Sequence, residues 1–539
     1  MAAYEKAPRY GPETIERFTS AGLWNDDTLP DYLAGWAERT PDKVAIQAGD
    51  RTITYREFHD TARRFANSLL DLGLQKQDVV AIQMPNEPEY LIAFMGTAMM
   101  GGILATMHMP YRGGEMEPLL EHGEAKAVIC TAPLPNHDAP ATMLALKERV
   151  ASLEHVLVAS DEPPSGALSL TRMFAEGSDA PIADPPSVED FCSLCFTSGT
   201  SAAPKGVMRS YQSFAANARV FSPVIELTAD DVVMVAPPFT HVFGLCCANL
   251  TLFSGATNLL MPLFTPETYA DCLVAGRPTV VFSAPAHLAA TTKAGLVDGV
   301  DLSSIRDVIV AGSVCPPDVA AEFEKRLPAG RVGQLFGMTE VILVMQTPLD
   351  ALPAVRHGST GRCTVGIEAR VAGPDGDILG VDEEGELQIS GYTVMAGYLK
   401  NDTANADAFT TDGWYRTGDL ATINADGDVV ITGRVKDLIN RGGIKINPTD
   451  LENAVMAHKA VIQAAIVPMV DDVMGEKACL FVTLTPGASL SFDEMTGYLA
   501  GQGFAKMKWP ERLEVIDEMP ITPTRKIIKG ELVARLAGE

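Results

Sequence analysis

Phe191-Cys-Ser-Leu-Cys-Phe196, followed by Thr197-Ser-Gly-Thr-Ser-Ala-Ala-Pro-Lys-Gly206, is the stretch on which the fold turns. The first segment carries no charge and predicts a buried strand, because a strand covered on both faces loses the polar alternation of a half-exposed one. The second gathers hydroxyls, glycines and one lysine where that strand ends. Backbone N–H groups and Ser/Thr hydroxyls donate to phosphate oxygens, and a lysine offsets their charge, so the loop suits a polyphosphate. It is not a Walker A loop: Pro204 stands where that pattern needs its second glycine, and Gly206 follows Lys205 in place of Ser or Thr. Composition alone describes a surface loop equally well, so the flanking sequence must decide.

N-terminal to the loop, amphipathic helices alternate with short apolar strands. Phe58, Ala62, Phe65, Leu69 and Leu72 share one helical face, and Val79 to Met84 follows as a strand. A second alternating run spans 191–350, and together they predict layered α/β architecture. Residues 160–190, rich in Pro, Ser, Asp and Gly, read as a surface connection. From about Gly358 the pattern changes to short strands, with hairpin turns at Pro374-Asp-Gly, Asp412-Gly and Asp426-Gly. A helix is expected to start near Asn447, with Asn447 as N-cap, Pro448 at the first helical position and Asp450 as the acid of a capping box. The remainder reads as a small α+β unit.

At 539 residues the chain exceeds one ordinary core. Its net charge of -27 argues against nucleic acid or an acidic membrane surface as a partner. Met1 to Ser20 is charged throughout and carries no secretory signal pattern. Two uncharged runs, Leu91–Met109 and Leu245–Phe264, are broken by Gly96, Gly101 and Gly102 and by Asn249, Asn258 and Pro262. They read as buried helix–strand junctions, with no stable membrane insertion. Nine scattered cysteines fit reduced thiols in a cytoplasmic protein. Cys192 and Cys195 have redox or zinc spacing but lie in an apolar strand with no second ligand pair. Cys246 and Cys247 would point apart on a strand, so core thiols are expected.

Further segments resemble, in order and spacing, the adenylate-forming superfamily, which includes acyl-CoA synthetases, nonribosomal-peptide adenylation domains and firefly luciferases. Thr197–Gly206 is similar to its signature loop, with Ser201 and Ala202 at the fifth and sixth positions where the family usually has Thr and Gly. Pro237-Pro-Phe-Thr-His241-Val-Phe-Gly244 resembles its substrate-gate segment, and Gln334-Leu-Phe-Gly-Met-Thr-Glu340 its adenine and magnesium motif. Tyr415-Arg-Thr-Gly-Asp419-Leu resembles the ribose motif. Gly433-Arg-Val-Lys-Asp437 and Gly442-Gly-Ile-Lys-Ile-Asn-Pro448 resemble the hinge and the loop after it. Pro520-Ile-Thr-Pro-Thr-Arg-Lys526 resembles the segment bearing the catalytic lysine, with Arg525 where the family usually has Gly. The resemblance covers essentially the whole chain.

It implies an α/β fold with a large N-terminal domain of layered sheets and helices with a β-rich subdomain (1–432), a hinge (433–437) and a small mobile α+β C-terminal domain (438–539). It implies ATP, Mg²⁺ and coenzyme A as cofactors and a small-molecule carboxylic acid as substrate; a homodimer is compatible with it. Thr197, Ser198, Gly199, Thr200 and Lys205 would hold phosphates. Thr339 would donate to the α-phosphate and Glu340 would hold Mg²⁺, while Phe336, Gly337 and Gly312 would flank the adenine. Asp419 and Arg434 would bind the ribose. Lys436 would be the pivot, and Gly442 and Gly443 would line the pantetheine channel. Lys526 would place positive charge on the α-phosphate and the departing pyrophosphate, where charge builds up.

His241 matches a position beside the acyl carboxylate. Phe239-Thr-His241 lacks the Asp with which amino-acid-activating members pair a substrate ammonium, and a buried ammonium without a partner is costly. With Val341-Ile-Leu-Val344 and Phe243, this predicts an apolar acid: aryl, alicyclic or medium-chain. The alternatives are a ligase loading a carrier-protein phosphopantetheine, a luciferase-like oxidoreductase and a non-catalytic homologue.

Overall fold

A computed structural model describes residues 11–134, 137–197, 204–442, 444–471, 473–522 and 527–537. Two compact units emerge: Met1–Glu368 with Ser390–Tyr415, and Ala369–Ile389 with Arg416–Glu539. The architecture is the expected mixture of layered sheets and helices, with a smaller C-terminal part.

The first unit holds a nine-stranded and a seven-stranded sheet. In the nine-stranded sheet, Arg331–Met338, Asp307–Val310, Val280–Ser283, Val232–Val235, Thr257–Leu260 and Val44–Ala48 run parallel in that spatial order. In the seven-stranded sheet, Val79–Gln83, Ile103–Thr106 and Phe191–Thr197 lie side by side in parallel, and Lys205–Ser210 closes the edge antiparallel. These strands are almost wholly buried, which accounts for their uninterrupted apolar character. Helix Tyr55–Asp71 buries the predicted stripe of Phe58, Ala62, Phe65 and Leu69. Thr54 and Glu57 form its capping box.

Both uncharged runs are junctions of the predicted kind. Leu91–Met109 contains the end of helix Pro88–Met99 and strand Ile103–Thr106, and Leu245–Phe264 contains most of helix Val242–Ser254 and strand Thr257–Leu260. Among the described residues no helix is long and apolar enough to cross a membrane. All nine cysteines are free. Cys192 and Cys195 are buried on their strand, but Cys246 and Cys247 lie on the Val242–Ser254 helix, not on a strand. That helix is apolar all round, which hid its period.

Two other expectations are corrected. The 160–190 connection contains strand Leu168–Ser169 and helix Leu170–Glu176, started by the Ser169 side chain accepting from Arg172 N–H. Phe174 of that helix packs edge-on against Phe65, 5.2 Å between ring centres, and this tertiary contact outweighs the loop-like composition. The helix near 447 spans Thr449–Met456, so Pro448 occupies the N-cap position and not the first helical one. Asn447 still serves the start: its Oδ1 accepts from Thr449 N–H at 3.2 Å and its Nδ2 donates to the Thr432 carbonyl at 2.7 Å. The Asp450 side chain lies outside the described residues.

Gly385–Gly391, Tyr415–Ile423 and Val429–Arg434, which fall mostly in the second unit, form most of a four-stranded sheet. The three predicted turns are hairpin turns, with Gly376, Gly413 and Gly427 at φ 87°, 87° and 84°. A separate five-stranded sheet is built on the long pair Val461–Asp471 and Gly475–Leu484.

Candidate active site

Thr197 and Lys205 are antiparallel partners, the last residue of one strand and the first of the next. The loop they enclose, with Ser198, Gly199, Thr200 and Ala202, lies outside the described residues. Lys205 Nζ sits 5.3 Å from the centre of the Tyr398 ring, within cation–π range.

Thr339 and Glu340 occupy the tight turn between antiparallel strands Arg331–Met338 and Ile342–Gln346. Backbone geometry there is demanding. Ile342, a β-branched residue, has φ 52°, and a Cβ on Gly337 would lie 2.3 Å from the Ile342 carbonyl oxygen. Such a conformation costs on the order of 1–3 kcal/mol and persists only where its surroundings over-determine it. They do: the fully buried Arg209 guanidinium donates to the carbonyls of Thr339 and Thr393. Met395 N–H donates to the Glu340 carbonyl at 2.7 Å, and the Tyr398 hydroxyl donates to Glu340 Oε1 at 2.8 Å. Burial, and then the Glu340 charge, push the Tyr398 phenol well above its ordinary range, so it stays a donor. Thr197, Lys205, Thr339 and Glu340 are thus tied into one cluster.

Glu340 is 6 % exposed, and no metal-holding cluster of three or more His, Cys, Asp or Glu residues exists among the described residues. Its Oε2 has no hydrogen bond from a described residue, whereas Oε1 is held by Tyr398. A carboxylate oriented through one oxygen fits Mg²⁺, which keeps its waters and takes one or two carboxylates plus substrate phosphates.

Gly312 (φ 92°) and His241 follow the carboxyl ends of strands Asp307–Val310 and Val232–Val235, and Phe336 and Gly337 lie in the carboxyl-terminal part of strand Arg331–Met338. That edge of an open α/β sheet is where ligands bind. His241 caps helix Val242–Ser254, its Nδ1 accepting from Phe243 N–H at 3.2 Å, which places the ring proton of the neutral form on Nε2. The preceding segment is braced by residues no motif identified. Asn86 accepts from Phe239 N–H at 2.7 Å and donates to the Pro237 carbonyl at 2.9 Å, while the Tyr90 hydroxyl donates to the Phe239 carbonyl at 2.9 Å. His108 is within 3.2 Å of the Thr240 hydroxyl through Nδ1, and its ring stacks towards His241, 6.2 Å between centres and 23° between planes. Burial pushes His108 down to about 4, so it is neutral at working pH.

In the second unit, Asp419 and Arg434 are cross-strand partners, and Arg434 Nε donates to Asp419 Oδ1 at 2.8 Å. Lys436 is exposed in the short turn Val435–Asp437. Gly442 has φ 57°, and its N–H donates to the Met474 carbonyl at 2.7 Å. Lys529 pairs with Glu452 at 2.8 Å and lies 3.6 Å from Asp437, a tether the motifs did not show. Gly443, Arg525 and Lys526 lie outside the described residues.

Largely parallel sheets whose strand ends carry Thr197, Lys205 and the oriented acid Glu340 define the α/β class of enzyme. Residues 33–399 match the AMP-binding enzyme model and residues 450–526 that of the AMP-binding enzyme C-terminal domain. The chain belongs to the AMP-binding enzyme family. It is 32% identical over 541 residues to a salicylyl-CoA synthase / salicylate adenylyltransferase of a Streptomyces species, with 96% of each chain covered. It is also 32% identical to a salicyl-AMP ligase / salicyl-S-ArCP synthetase of Mycobacterium tuberculosis, covering 96% of this chain and 92% of that one. ATP-bound MatB from Rhodopseudomonas palustris superimposes with TM-score 0.83 at 27% identity, over 94% of this chain and 99% of that one.

Proposed function

We propose that the chain is an AMP-forming acid–thiol ligase that converts an apolar carboxylic acid and ATP to acyl-AMP and pyrophosphate, then transfers the acyl group to coenzyme A. The observation that carries this reading is the Lys205–Tyr398–Glu340 cluster at the mouth of the phosphate loop. The substrate carboxylate is itself the nucleophile, so no general base is needed. Its oxygen bonds to the α-phosphorus as the bond to the pyrophosphate oxygen breaks. Lys205 and the Thr197–Thr200 loop hold the phosphates, Thr339 donates to the α-phosphate, and Lys526 adds charge to the oxygens that gain it. Glu340 would hold Mg²⁺, which would supply positive charge to the phosphate oxygens. Phe336, Gly337 and Gly312 flank the adenine, and Asp419, oriented by Arg434, accepts from the ribose hydroxyls. In the second step a thiol sulfur attacks the acyl carbonyl carbon and AMP leaves. We assign Lys436 as the pivot between the two steps, and Gly442 and Gly443 as the lining of the thiol channel.

His241 Nε2 presents a proton to the acyl carboxylate, and Phe243 and Val341–Val344, all buried, supply an apolar wall. Aryl, alicyclic and medium-chain acids fit such a wall, and both curated relatives named above act on an aryl acid. Nine free thiols support a reducing, cytoplasmic setting. Mass spectrometry of products from mixed acids, ATP and coenzyme A tests the whole reading, with an acyl-CoA of an apolar acid as the expected product. Turnover of amino acids alone would sink it. The carrier-protein alternative has support from the Mycobacterium tuberculosis relative, whose name couples adenylation to a carrier. Free acyl-CoA formed with no carrier present excludes that alternative.

A further inference from the structure

Tyr398 touches both charged groups of the phosphate cluster, and its backbone is fixed on each side. Its hydroxyl donates to Glu340 Oε1 at 2.8 Å and its ring faces Lys205 Nζ at 5.3 Å. Asn405 accepts from its N–H at 2.7 Å and donates to its carbonyl at 2.9 Å. Tyr398 also bridges to Val207, and the next residue, Leu399, donates from its N–H to the Gly206 carbonyl at 2.8 Å. The Tyr415 hydroxyl lies 3.4 Å from the phenol oxygen, and because Tyr398 spends its own proton on Glu340, Tyr415 is the donor in that pair. A single rigid side chain therefore spans an acid and a base 135 residues apart in sequence (340 − 205). Rotating the ring would break both contacts at once.

We propose that Tyr398 is a positioning residue that registers the Glu340 carboxylate and the Lys205 ammonium in one frame, leaving Glu340 Oε2 to meet the Mg²⁺ that accompanies ATP. The inference rests on the reading of Glu340 as the metal-site acid. Partners that orient a ligating carboxylate typically change metal affinity by roughly 10–100-fold when removed. Tyr398 would therefore act on the metal dependence of ATP binding more than on ATP binding itself.

Calorimetric titration of ATP into the full-length protein over a series of Mg²⁺ concentrations reads this directly. Tyr398→Phe keeps the ring under Lys205 and loses only the hydroxyl. Its ATP affinity without metal should match wild type, while the Mg²⁺ concentration for half-maximal enhancement rises by roughly tenfold or more. Tyr398→Leu removes the ring too, and should also lower metal-free ATP affinity by roughly threefold. An unshifted Mg²⁺ midpoint in Tyr398→Phe overturns the proposal. Glu340→Gln, run alongside, separates the two ideas. If its midpoint equals wild type, the reading of Glu340 fails and the proposal falls with it. If Glu340→Gln shifts and Tyr398→Phe does not, only the role of Tyr398 fails. Melting curves report whether each variant folds. Should Tyr398→Phe not fold, Tyr415→Phe, which removes the donor to the phenol oxygen, must raise the midpoint by at least about twofold, since linked hydrogen bonds strengthen one another; no rise overturns the proposal.

Discussion

At the scale of single residues, charge and burial set the expectations. Lys526→Ala should slow pyrophosphate release by roughly 100-fold or more, the usual cost of losing one group that stabilises transition-state charge, yet spare thioester formation from supplied acyl-AMP. Equal loss in both assays would contradict the division of labour. His108 makes an acid-stability prediction with a definite sign. At neutral pH its ring is uncharged whether the chain is folded or not. As the pH falls below 6.5 the unfolded chain takes up the proton, while burial delays uptake in the folded protein to about pH 4. Stability is therefore lost across that window, by about 3 kcal/mol in all, and His108→Gln should flatten the acid limb of the urea-unfolding profile. His137, pushed down by burial and then Arg112, adds to the loss in the same direction. The residues we assign to chemistry are those that motif order offers, and of these Thr197, Lys205 and Glu340 come together in the fold. Arg209, Asn86 and Tyr398 were not legible in the sequence. Arg209 reaches carbonyls 130 and 184 residues away, Asn86 partners up to 153 away, and Tyr398 an acid 58 away, and no periodicity encodes such distances.

At the scale of elements, the helix Val242–Ser254 and the loop before it form one mechanical piece. A Cβ on Gly244 would stand 2.4 Å from the Pro238 carbonyl and 2.7 Å from that of Pro237. Both atoms belong to the backbone that Asn86 braces, so neither yields easily. Gly244→Ala should cost about 1–3 kcal/mol, measured by chemical denaturation, and should raise KM for the acid because His241 caps that same helix. A KM shift without a change in the ATP constant is the expected pattern. Hairpins announced themselves through Asp-Gly turns, and the amphipathic helix Tyr55–Asp71 through its stripe. Elements buried on every side gave no such signal. The Cys246–Cys247 segment was misread as a strand for that reason, and the Leu170–Glu176 helix was hidden inside a Pro- and Ser-rich stretch.

At the scale of the whole molecule, the pivot we assign to Lys436 carries its own test. Proline fixes φ near −65°, and a pivot must change its backbone angles between steps. Lys436→Pro should leave one half-reaction within about threefold of wild type and depress the other by tenfold or more, read by pyrophosphate release and thioester formation in parallel. Loss of both in equal measure would place the pivot elsewhere. The nine cysteine thiols have a practical consequence at this scale. Burial pushes Cys130 and Cys315 up to about 12 and Cys363 up to about 11, with Cys192, Cys195, Cys246, Cys247 and Cys272 raised in the same way; Cys479 is fully enclosed. Thiols held protonated are poor nucleophiles, and seven of the nine are buried as well. A coloured disulfide reagent added to timed samples would therefore titrate chiefly the remaining free thiol of the acceptor we propose, with half-buried Cys272 and Cys363 as the protein's own background.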